Sequence, residues 1–436
     1  MSTTIYALSS GSPPAAIGVI RISGPQALEI NEYFTGIAHP VFRRASLTRL
    51  RDPGNGDILD TVILLPFDGP KTATGEDLVE WHCHGGQAVV RAILAALDRF
   101  SASHADLDIS AARPGEFTRR AFENGRIDLN EAEGLADLLS AETESQRRSA
   151  LLMAEGHFSR RIESWREELL QCAAVVESLL DFSDEDDVAE EGAARRISMR
   201  LHAIGTDMRA QLAAPSAERL NEGITVVIAG PPNAGKSTLL NALAGRDAAI
   251  VSDIAGTTRD RIDVAVNLGG VAFTITDTAG LAHETQDVIE RIGIDRAQQA
   301  IVSCDLLLWL GEPLVSPRPD AIIVAAKMDR NGWTMPDGAT VALSAATGAN
   351  MQALVDLMLE RAQALVPAEG SYALHQRQRD AVTQMAAYVD FAQQETDQLI
   401  VAENLRYTLV EMDRLVGRSG IENMLDALFS RFCIGK

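Results

Sequence analysis

The sequence predicts a multidomain α/β-plus-α protein: an N-terminal α+β domain, an all-α helical domain, and an α/β domain inserted into the helical one. Three observations carry this. The chain has 436 residues, more than a single hydrophobic core organises. Its apolar period changes at Leu129 from the alternation of strands to the three-and-four spacing of helices. Between two helical stretches, from residue 224 to about 365, strand and helix patterns alternate, the signature of a parallel sheet. The expected domains are 1–120, then 121–215 together with 371–436, and the inserted 216–370.

In the first domain Gly18-Val-Ile-Arg-Ile-Ser, Thr61-Val-Ile-Leu-Leu and Leu78-Val-Glu-Trp-His read as strands, and Gln87 to Phe100 as a helix. Leu129, Ala132, Leu135 and Leu139, then Leu169, Ala173, Val176 and Leu180, recur as one apolar helix face. The acidic run Asp184-Glu-Asp-Asp with Glu190 and Glu191 predicts a solvated loop that interrupts the helices. Ile224-Thr-Val-Val-Ile-Ala229 is a buried strand. After Pro367 the helical period returns through Leu399, Leu405, Leu409 and Met412.

Composition narrows the function classes. Hydrophobic residues at 46% and charged residues at 23% are an ordinary globular balance, and no apolar run is long enough to span a bilayer. The start, MSTTIYALSS, lacks the basic and apolar regions of a secretory signal. Cys83, Cys172, Cys304 and Cys433 form no ligand-spaced pair, which fits a reducing compartment and argues against a disulfide framework or zinc site. A cytoplasmic location is expected. The net charge of −22 excludes nucleic-acid binding by a general basic surface, so any RNA contact is local or uses a partner's positive charge.

Gly230-Pro-Pro-Asn233-Ala234-Gly235-Lys236-Ser237 matches G-x-x-x-x-G-K-[ST] between a strand and the helix-forming Thr238-Leu-Leu-Asn-Ala-Leu. Its backbone N–H groups suit phosphate oxygens, Lys236 suits the β- and γ-phosphates, and the Ser237 hydroxyl suits Mg²⁺. The bland alternative is a Gly-rich turn with no ligand. Asp277-Thr278-Ala279-Gly280 follows an apolar strand and places a carboxylate near the metal and a backbone N–H near the γ-phosphate. Between the two lies Ser252-Asp253-Ile254-Ala255-Gly256-Thr257-Thr258, where a threonine hydroxyl, assigned to Thr258, completes the Mg²⁺ shell; this loop is the expected switch. Ala326-Lys327-Met328-Asp329 then follows the strand Ile322-Ile-Val-Ala. Asp329 accepts the N1–H and exocyclic N–H of guanine, which adenine cannot offer, and Lys327 lays its methylenes over the ring. Ser344-Ala345-Ala346 completes the base site. GTPases of this type usually carry Asn where Ala326 stands, so weaker binding with guanine preference retained is expected, at about 1 kcal/mol per lost hydrogen bond. The inserted domain is thus a Ras-like P-loop GTPase domain.

Where many such GTPases have a water-orienting Gln, this chain has Leu281, and no motif identifies an arginine finger. Positive charge must come from elsewhere. Asn233 is an oxygen ligand of the kind a monovalent cation uses, and the backbone carbonyls of Ser252 and Ile254 are further candidates.

Gly18-Val-Ile-Arg21-Ile-Ser-Gly, Thr74-Gly-Glu-Asp-Leu-Val-Glu80-Trp-His-Cys-His-Gly-Gly86, Arg113-Pro-Gly-Glu-Phe-Thr-Arg-Arg-Ala-Phe122, the GTPase elements and Phe432-Cys433-Ile-Gly-Lys436 together resemble the MnmE (TrmE) family of tRNA-modification GTPases, nearly end to end. The resemblance implies an N-terminal domain that dimerises and binds 5-formyltetrahydrofolate or a related folate, with Arg21, Glu80, Arg126 and Lys436 as contacts. It implies G domains that pair across K⁺, held by Asn233, Ser252, Ile254 and Thr257, with Mg²⁺ on Ser237 and Thr258, and Glu290 orienting the water. It implies a homodimer that joins the flavoprotein MnmG (GidA) in a heterotetramer and acts on tRNA. There the pair installs a carboxymethylaminomethyl or aminomethyl group at C5 of the wobble uridine, U34. The stretch Ser10-Gly-Ser-Pro-Pro-Ala-Ala-Ile departs from the family's usual Pro-Pro-Gly-Arg-Gly-Gly run.

Several residues have a plainer reading too. Cys433 reads on its own as a spare core thiol, and through the resemblance as a functional thiol near the folate. His82 and His84 share a strand face without a further ligand nearby, and read as structural. Glu116, Arg119 and Arg120 read as inter-domain polar contacts. Two rivals remain: a regulatory GTPase switch for ribosome or RNA assembly, and a one-carbon transferase whose GTPase domain is incidental. Dependence of modification on GTP hydrolysis separates them.

Overall fold

The computed structural model describes residues 3–104, 106–181, 187–245, 263–278, 297–366, 368, 370–419, 422–430 and 432–436. They fall into two units, residues 1–136 with 413–436, and residues 137–412.

The first unit is built on a six-stranded sheet. Its strands are β1 (Thr4–Leu8), β2 (Ile17–Ser23), β3 (Ser46–Arg51), β4 (Ile58–Phe67), β5 (Leu78–His84) and β6 (Ile109–Ala111), in the spatial order β3-β4-β5-β2-β1-β6. All neighbours are antiparallel except β1 and β6. Because side chains alternate across a strand, register sorts them by face. Ile20, Leu64 and Trp81 are cross-strand neighbours on one face, with α1 (Ala27–Thr35) and α2 (Gln87–Ser103) contributing Ile30, Phe34, Ile93, Leu97 and Phe100 to the same core. Helix α2 buries Val90, Ile93, Leu97 and Phe100, the spacing of a single helical stripe. The buried indole of Trp81 donates to Asn31 Oδ1 at 3.2 Å, which removes the cost of an unpaired donor.

The other face carries Leu47, Ile63, His82 and Val19 in one cross-strand row and Leu65, Glu80, Arg21 and Ala7 in the next. Toward β1 this face is covered, since Ile5 and Ala7 pack with Ala112 and Phe117. Helix α3 (Glu116–Glu123) begins at Gly115, at φ +70, where a Cβ would fall 2.3 Å from the Phe429 carbonyl oxygen; only glycine fits. The expected domain division placed 413–436 with the helical domain. In the structure Leu428, Phe429 and Phe432 from that segment share a buried cluster with Leu129 and Ala132, which the same division also placed in the helical domain, at the start of α4 (Leu129–Ser140); 129–136 and 413–436 both fall in the first unit.

The second unit contains α5 (Glu144–Ala154), α6 (His157–Asp181), α7 (Asp187–Ala213) and α8 (Ala217–Glu222), followed by the α/β region. Thr143 caps α5, its side chain accepting from Gln146 N while Gln146 returns to the Thr143 backbone. Residues 187–191, expected in a loop, lie in the first turns of α7; 182–186 lie outside the described residues. Strands β7 (Ile224–Ala229), β8 (Asp263–Leu268), β9 (Val271–Asp277), β10 (Leu306–Trp309), β11 (Ile322–Ala325) and β12 (Val341–Ala342) form a sheet ordered β12-β11-β10-β7-β9-β8. All pairs are parallel except the edge hairpin β8–β9. Helices α9 (Lys236–Ala244) and α10 (Met351–Ala362) supply Leu239, Leu240, Leu243, Leu354 and Met358 to its core. Helices α11 (Gln376–Gln394) and α12 (Gln398–Val416) follow, and α13 (Glu422–Phe429) lies in the first unit.

Two positions of the expected helical stripes are solvent-facing: Leu139 is 48% and Leu399 67% exposed. In α12 the buried stripe runs through Val401, Leu405, Thr408, Met412 and Leu415 instead. Among the described residues no helix is long and apolar enough to cross a membrane.

Candidate functional site

Strand β7 lies at the centre of its sheet, with β9 on one side and β10 on the other, so its carboxyl end opens onto the crevice where the strand order reverses. The Gly230–Ser237 loop leaves from that end. Its turn uses three positive φ angles, at Gly230 (+150), Asn233 (+60) and Gly235 (+108), and Gly235 opens α9. The φ angle at Gly230 favours glycine, and a Cβ there would also be tight, 3.1 Å from Leu310. Lys236 is 8% exposed and its ammonium donates to the Gly230 and Pro231 carbonyls, both at 3.0 Å, at the mouth of the loop.

Asp277 ends β9 directly beside Ile228 of β7, and is 4% exposed. This register brings it to Ser237, whose Oγ donates to Asp277 Oδ2 at 2.6 Å. Residues separated by forty positions in sequence thus meet as a pair of hard oxygen donors. Thr278 bends the chain back, its N and Oγ1 donating to the Ile228 carbonyl at 3.2 and 3.0 Å. Thr238 is exposed in the first turn of α9. Ser252, Asp253, Ile254, Ala255, Gly256, Thr257, Thr258, Ala279, Gly280 and Glu290 lie outside the described residues.

The two segments expected to read the base also converge. Leu343 N donates to the Ala325 carbonyl at 3.0 Å and Met328 N to the Leu343 carbonyl at 3.1 Å, which ties the ends of β11 and β12 together. Ser344 is fully buried, and its hydroxyl, hydrogen-bonded to Asp329, holds that exposed carboxyl below the usual carboxylate range. Ala345 is half-buried and Ala346 exposed just beyond. Lys327, at φ +64, reaches over the phosphate loop and donates to the Asn233 carbonyl, with its Cε 3.5 Å from where a Cβ on Gly235 would stand. One lysine therefore joins the base loop to the phosphate loop. Sequence reasoning missed Trp333, whose indole Nε1 donates to the Ala326 carbonyl at 3.3 Å. No motif marks that tryptophan; its only signal is proximity to the base loop.

In the first unit, the face bearing Arg21 and Glu80 forms a second constellation. The two are cross-strand partners, and Arg21 Nε and Nη2 donate to Glu80 Oε1 at 3.0 and 2.8 Å. His82 Nε2 is 3.2 Å from the other Glu80 oxygen, and the Arg21 guanidinium lies 5.6 Å over the Phe117 ring. Phe117 N donates to the Lys436 carbonyl at 3.2 Å, and Ser9 Oγ to the Gly435 carbonyl at 2.6 Å. The tail that holds Cys433 and Lys436 is thereby docked beside Arg21. Cys433 is exposed, which overturns its reading as a spare core residue; Cys83, Cys172 and Cys304 are buried.

Arg126 is exposed, and its Nε donates to the Thr72 carbonyl at 3.1 Å. Among the described residues no contact joins it to Arg21, Glu80 or Lys436. His84 turns to Asp60 at 2.8 Å rather than toward His82. The buried Arg120 bonds Glu76 at 3.0 Å and Glu116 at 3.1 Å; Arg119 bonds Glu123 and Asp426, each at 2.8 Å. These contacts, expected between domains, lie within one unit. A cleft of about 710 Å³ beside α3 includes Glu76, Arg113, Arg119, Arg120 and Asp426 in its walls, and none of Arg21, Glu80, Arg126 or Lys436.

The profile of the GTP-binding protein TrmE N-terminus matches residues 4–126, and that of the MnmE helical domain matches residues 129–433. A tRNA modification GTPase MnmE of Rhizorhabdus wittichii is 52% identical over 440 residues, covering 100% of this chain and 97% of the relative. Those of Novosphingobium aromaticivorans and Zymomonas mobilis are 50% and 45% identical, covering 100% and 99% of this chain and the whole of each relative. With a phosphate loop, an Asp277–Ser237 pair and an Asp329 base loop assembled on one parallel sheet, and with relatives this similar along the whole chain, the protein is a GTP-hydrolysing enzyme and belongs to the MnmE family of tRNA modification GTPases.

Proposed function

We propose that this chain, as a homodimer joined to the flavoprotein MnmG (GidA), uses GTP hydrolysis to drive addition of a carboxymethylaminomethyl or aminomethyl group to C5 of the wobble uridine (U34) of certain tRNAs, in the cytoplasm. The one-carbon unit comes from 5-formyltetrahydrofolate or a related folate. The observation that carries this reading is the docking of the Cys433–Lys436 tail beside the Arg21–Glu80 face, through Phe117 N to the Lys436 carbonyl at 3.2 Å. A GTPase switch has no need of that second constellation.

The residues present suit the groups this function requires. Ser237 Oγ and Asp277 Oδ2 are hard oxygen donors 2.6 Å apart, the donor type of Mg²⁺, and Thr258 would join them. Asn233 is exposed on the phosphate loop and would hold K⁺ with Ser252, Ile254 and Thr257; K⁺ supplies positive charge beside the phosphates. Arg21 and Glu80 keep 23% and 14% of their side chains exposed, so a guanidinium and a carboxylate are available to the glutamyl tail and N–H edge of a folate. Arg126 and Lys436 complete that set.

The chain's own residues divide the work. Lys236 is held at the phosphate end of the site, Asp329 selects guanine, and Lys327 fixes the distance between the two. Glu290 orients the attacking water. Cys433, exposed on the docked tail, is the candidate thiol for the folate chemistry. The apolar pair Leu47 and Ile63, 76% and 41% exposed on the Arg21 side of the sheet, offers part of the surface for the second subunit. MnmG supplies the positive surface for tRNA that a chain of charge −22 lacks.

The test is mass analysis of U34 in tRNA from cells lacking the chain, restored with the wild type or with Cys433→Ser. Wild type restores the modified nucleoside and Cys433→Ser does not, while its GTP turnover is unchanged. Fully modified U34 in the null strain, or restoration by Cys433→Ser, refutes the reading.

A further inference from the structure

The base loop differs from its usual form at one position: Ala326 brings no polar side chain. Yet the loop holds a costly geometry. Lys327 has φ +64, a conformation that a lysine keeps only where its surroundings enforce it. Three backbone bonds shape the segment: Met328 N to the Leu343 carbonyl at 3.1 Å, Arg330 N to the Lys327 carbonyl at 3.1 Å, and Trp333 N to the Arg330 carbonyl at 3.2 Å. Only the first ties it to the sheet. Side chains anchor it as well: Lys327 to the Asn233 carbonyl, Ser344 to Asp329 and, at the loop's entrance, the half-buried indole of Trp333, which donates to the Ala326 carbonyl at 3.3 Å.

We propose that Trp333 is a positioning residue of the guanine site, whose indole N–H braces the Ala326 carbonyl and so fixes the loop that presents Lys327 and Asp329. The proposal rests on the reading of Asp329 as the acceptor for guanine. Its logic is compensation. An amide at position 326 would anchor the loop from within; here an aromatic N–H seven residues later anchors it from outside, on the same residue's backbone. The bond is made to the peptide immediately before Lys327, so its loss acts on the strained φ angle and on the bridge from Lys327 to the Asn233 carbonyl. Trp333 touches neither the phosphates nor the base through this bond, and its effect is on nucleotide affinity rather than on the chemical step.

The experiment is a double-mutant cycle with the full chain, using Trp333→Phe, Ala326→Asn and the two combined. Phe keeps most of the ring and removes the N–H. Affinity is read with GDP and with IDP, which lacks the exocyclic amine, and GTP turnover is split into KM and kcat. Trp333→Phe is expected to weaken GDP binding roughly three- to tenfold, the range of one hydrogen bond, raising KM with little change in kcat. In the Ala326→Asn background the same substitution is expected to cost less than about twofold. Wild-type affinity in Trp333→Phe, an equal loss in both backgrounds, or a fall in kcat at unchanged KM overturns the proposal. Far-ultraviolet circular dichroism and thermal melting confirm that each variant is folded, and Trp333→Leu gives a second removal of the N–H. Asp329→Asn serves as a separate arm. Unchanged GDP affinity there, with no gain for xanthosine diphosphate, defeats the Asp329 reading itself, whatever Trp333→Phe shows.

Discussion

Replacing Gly435 by alanine isolates the docked tail. Gly435 has φ +94, and an added Cβ would lie 2.0 Å from the Leu8 carbonyl oxygen and 3.0 Å from Ser9 Cα. Neither neighbour is a flexible side chain; both are backbone of β1 and its exit. The positive φ alone costs a non-glycine residue about 1–2 kcal/mol. Against this, the tail beyond Phe432 is held by Ser9 Oγ to the Gly435 carbonyl at 2.6 Å, Phe117 N to the Lys436 carbonyl at 3.2 Å and the longer Gly115 N to the Cys433 carbonyl at 3.5 Å. At about 1 kcal/mol each, these cannot outweigh the strain and the overlap together. Phe432, 5% exposed, stays in its cluster and limits the damage. Gly435→Ala should therefore release residues 433–436 at a global cost of no more than about 2–3 kcal/mol. Hydrogen exchange should accelerate in peptides covering Phe117 and the tail and nowhere else. U34 modification should be lost, while GTP turnover is retained. A variant that keeps native protection at Phe117, or that modifies U34 normally, refutes the reasoning.

Other expectations follow from single contacts. Ser237→Ala removes the hydroxyl 2.6 Å from Asp277 and should lower GTP turnover by roughly a hundredfold or more, with a raised Mg²⁺ requirement in a metal titration. Glu76→Gln leaves the buried Arg120 with one carboxylate instead of two and should destabilise the first unit by about 2–4 kcal/mol, read as a lower melting temperature. Burial pushes the Cys83 thiol up from 9.0 to about 11, so native protein treated with iodoacetamide at pH 8 should be labelled rapidly at Cys433 and not at Cys83, as peptide mapping would show. The sign of the linked stability follows: an unfolded chain ionises this thiol first, so burial of the neutral form is lost as a stabilising factor between about pH 9 and 11. Exchanging K⁺ for Na⁺ should slow GTP turnover; equal rates in the two salts would remove Asn233 from its assigned role.

What could be read before the structure was what local pattern encodes. Ile224–Ala229, Gly235–Lys236 and Asp277 announce themselves because strand, turn and helix start within a dozen residues, and the structure sets them on one sheet as expected. The β2 and β5 strands were legible for the same reason. What escaped were decisions made by tertiary packing. The meeting of Phe429 and Phe432 with Leu129 is a contact some three hundred residues apart that periodicity cannot report. Leu139 and Leu399 fit a helical period yet face solvent, because period locates a stripe and not the partner that covers it. The pairing of Arg21 with Glu80 follows from β2–β5 register, which the strands alone leave open. Trp333 was invisible because an indole N–H reaching a backbone carbonyl leaves no motif.

The approach of Gly435 to Leu8 has a bearing on how the chain is made. The first strand leaves the ribosome more than four hundred residues before the segment that packs against its exit at Leu8 and Ser9. Throughout synthesis the Arg21 face of that sheet stands without its closing flap, and the second unit is finished in the meantime. The nucleotide-binding region is thus made before the Arg21 face is covered. A nascent chain that lacked the tail would carry the nucleotide-binding region with the Arg21 face still open.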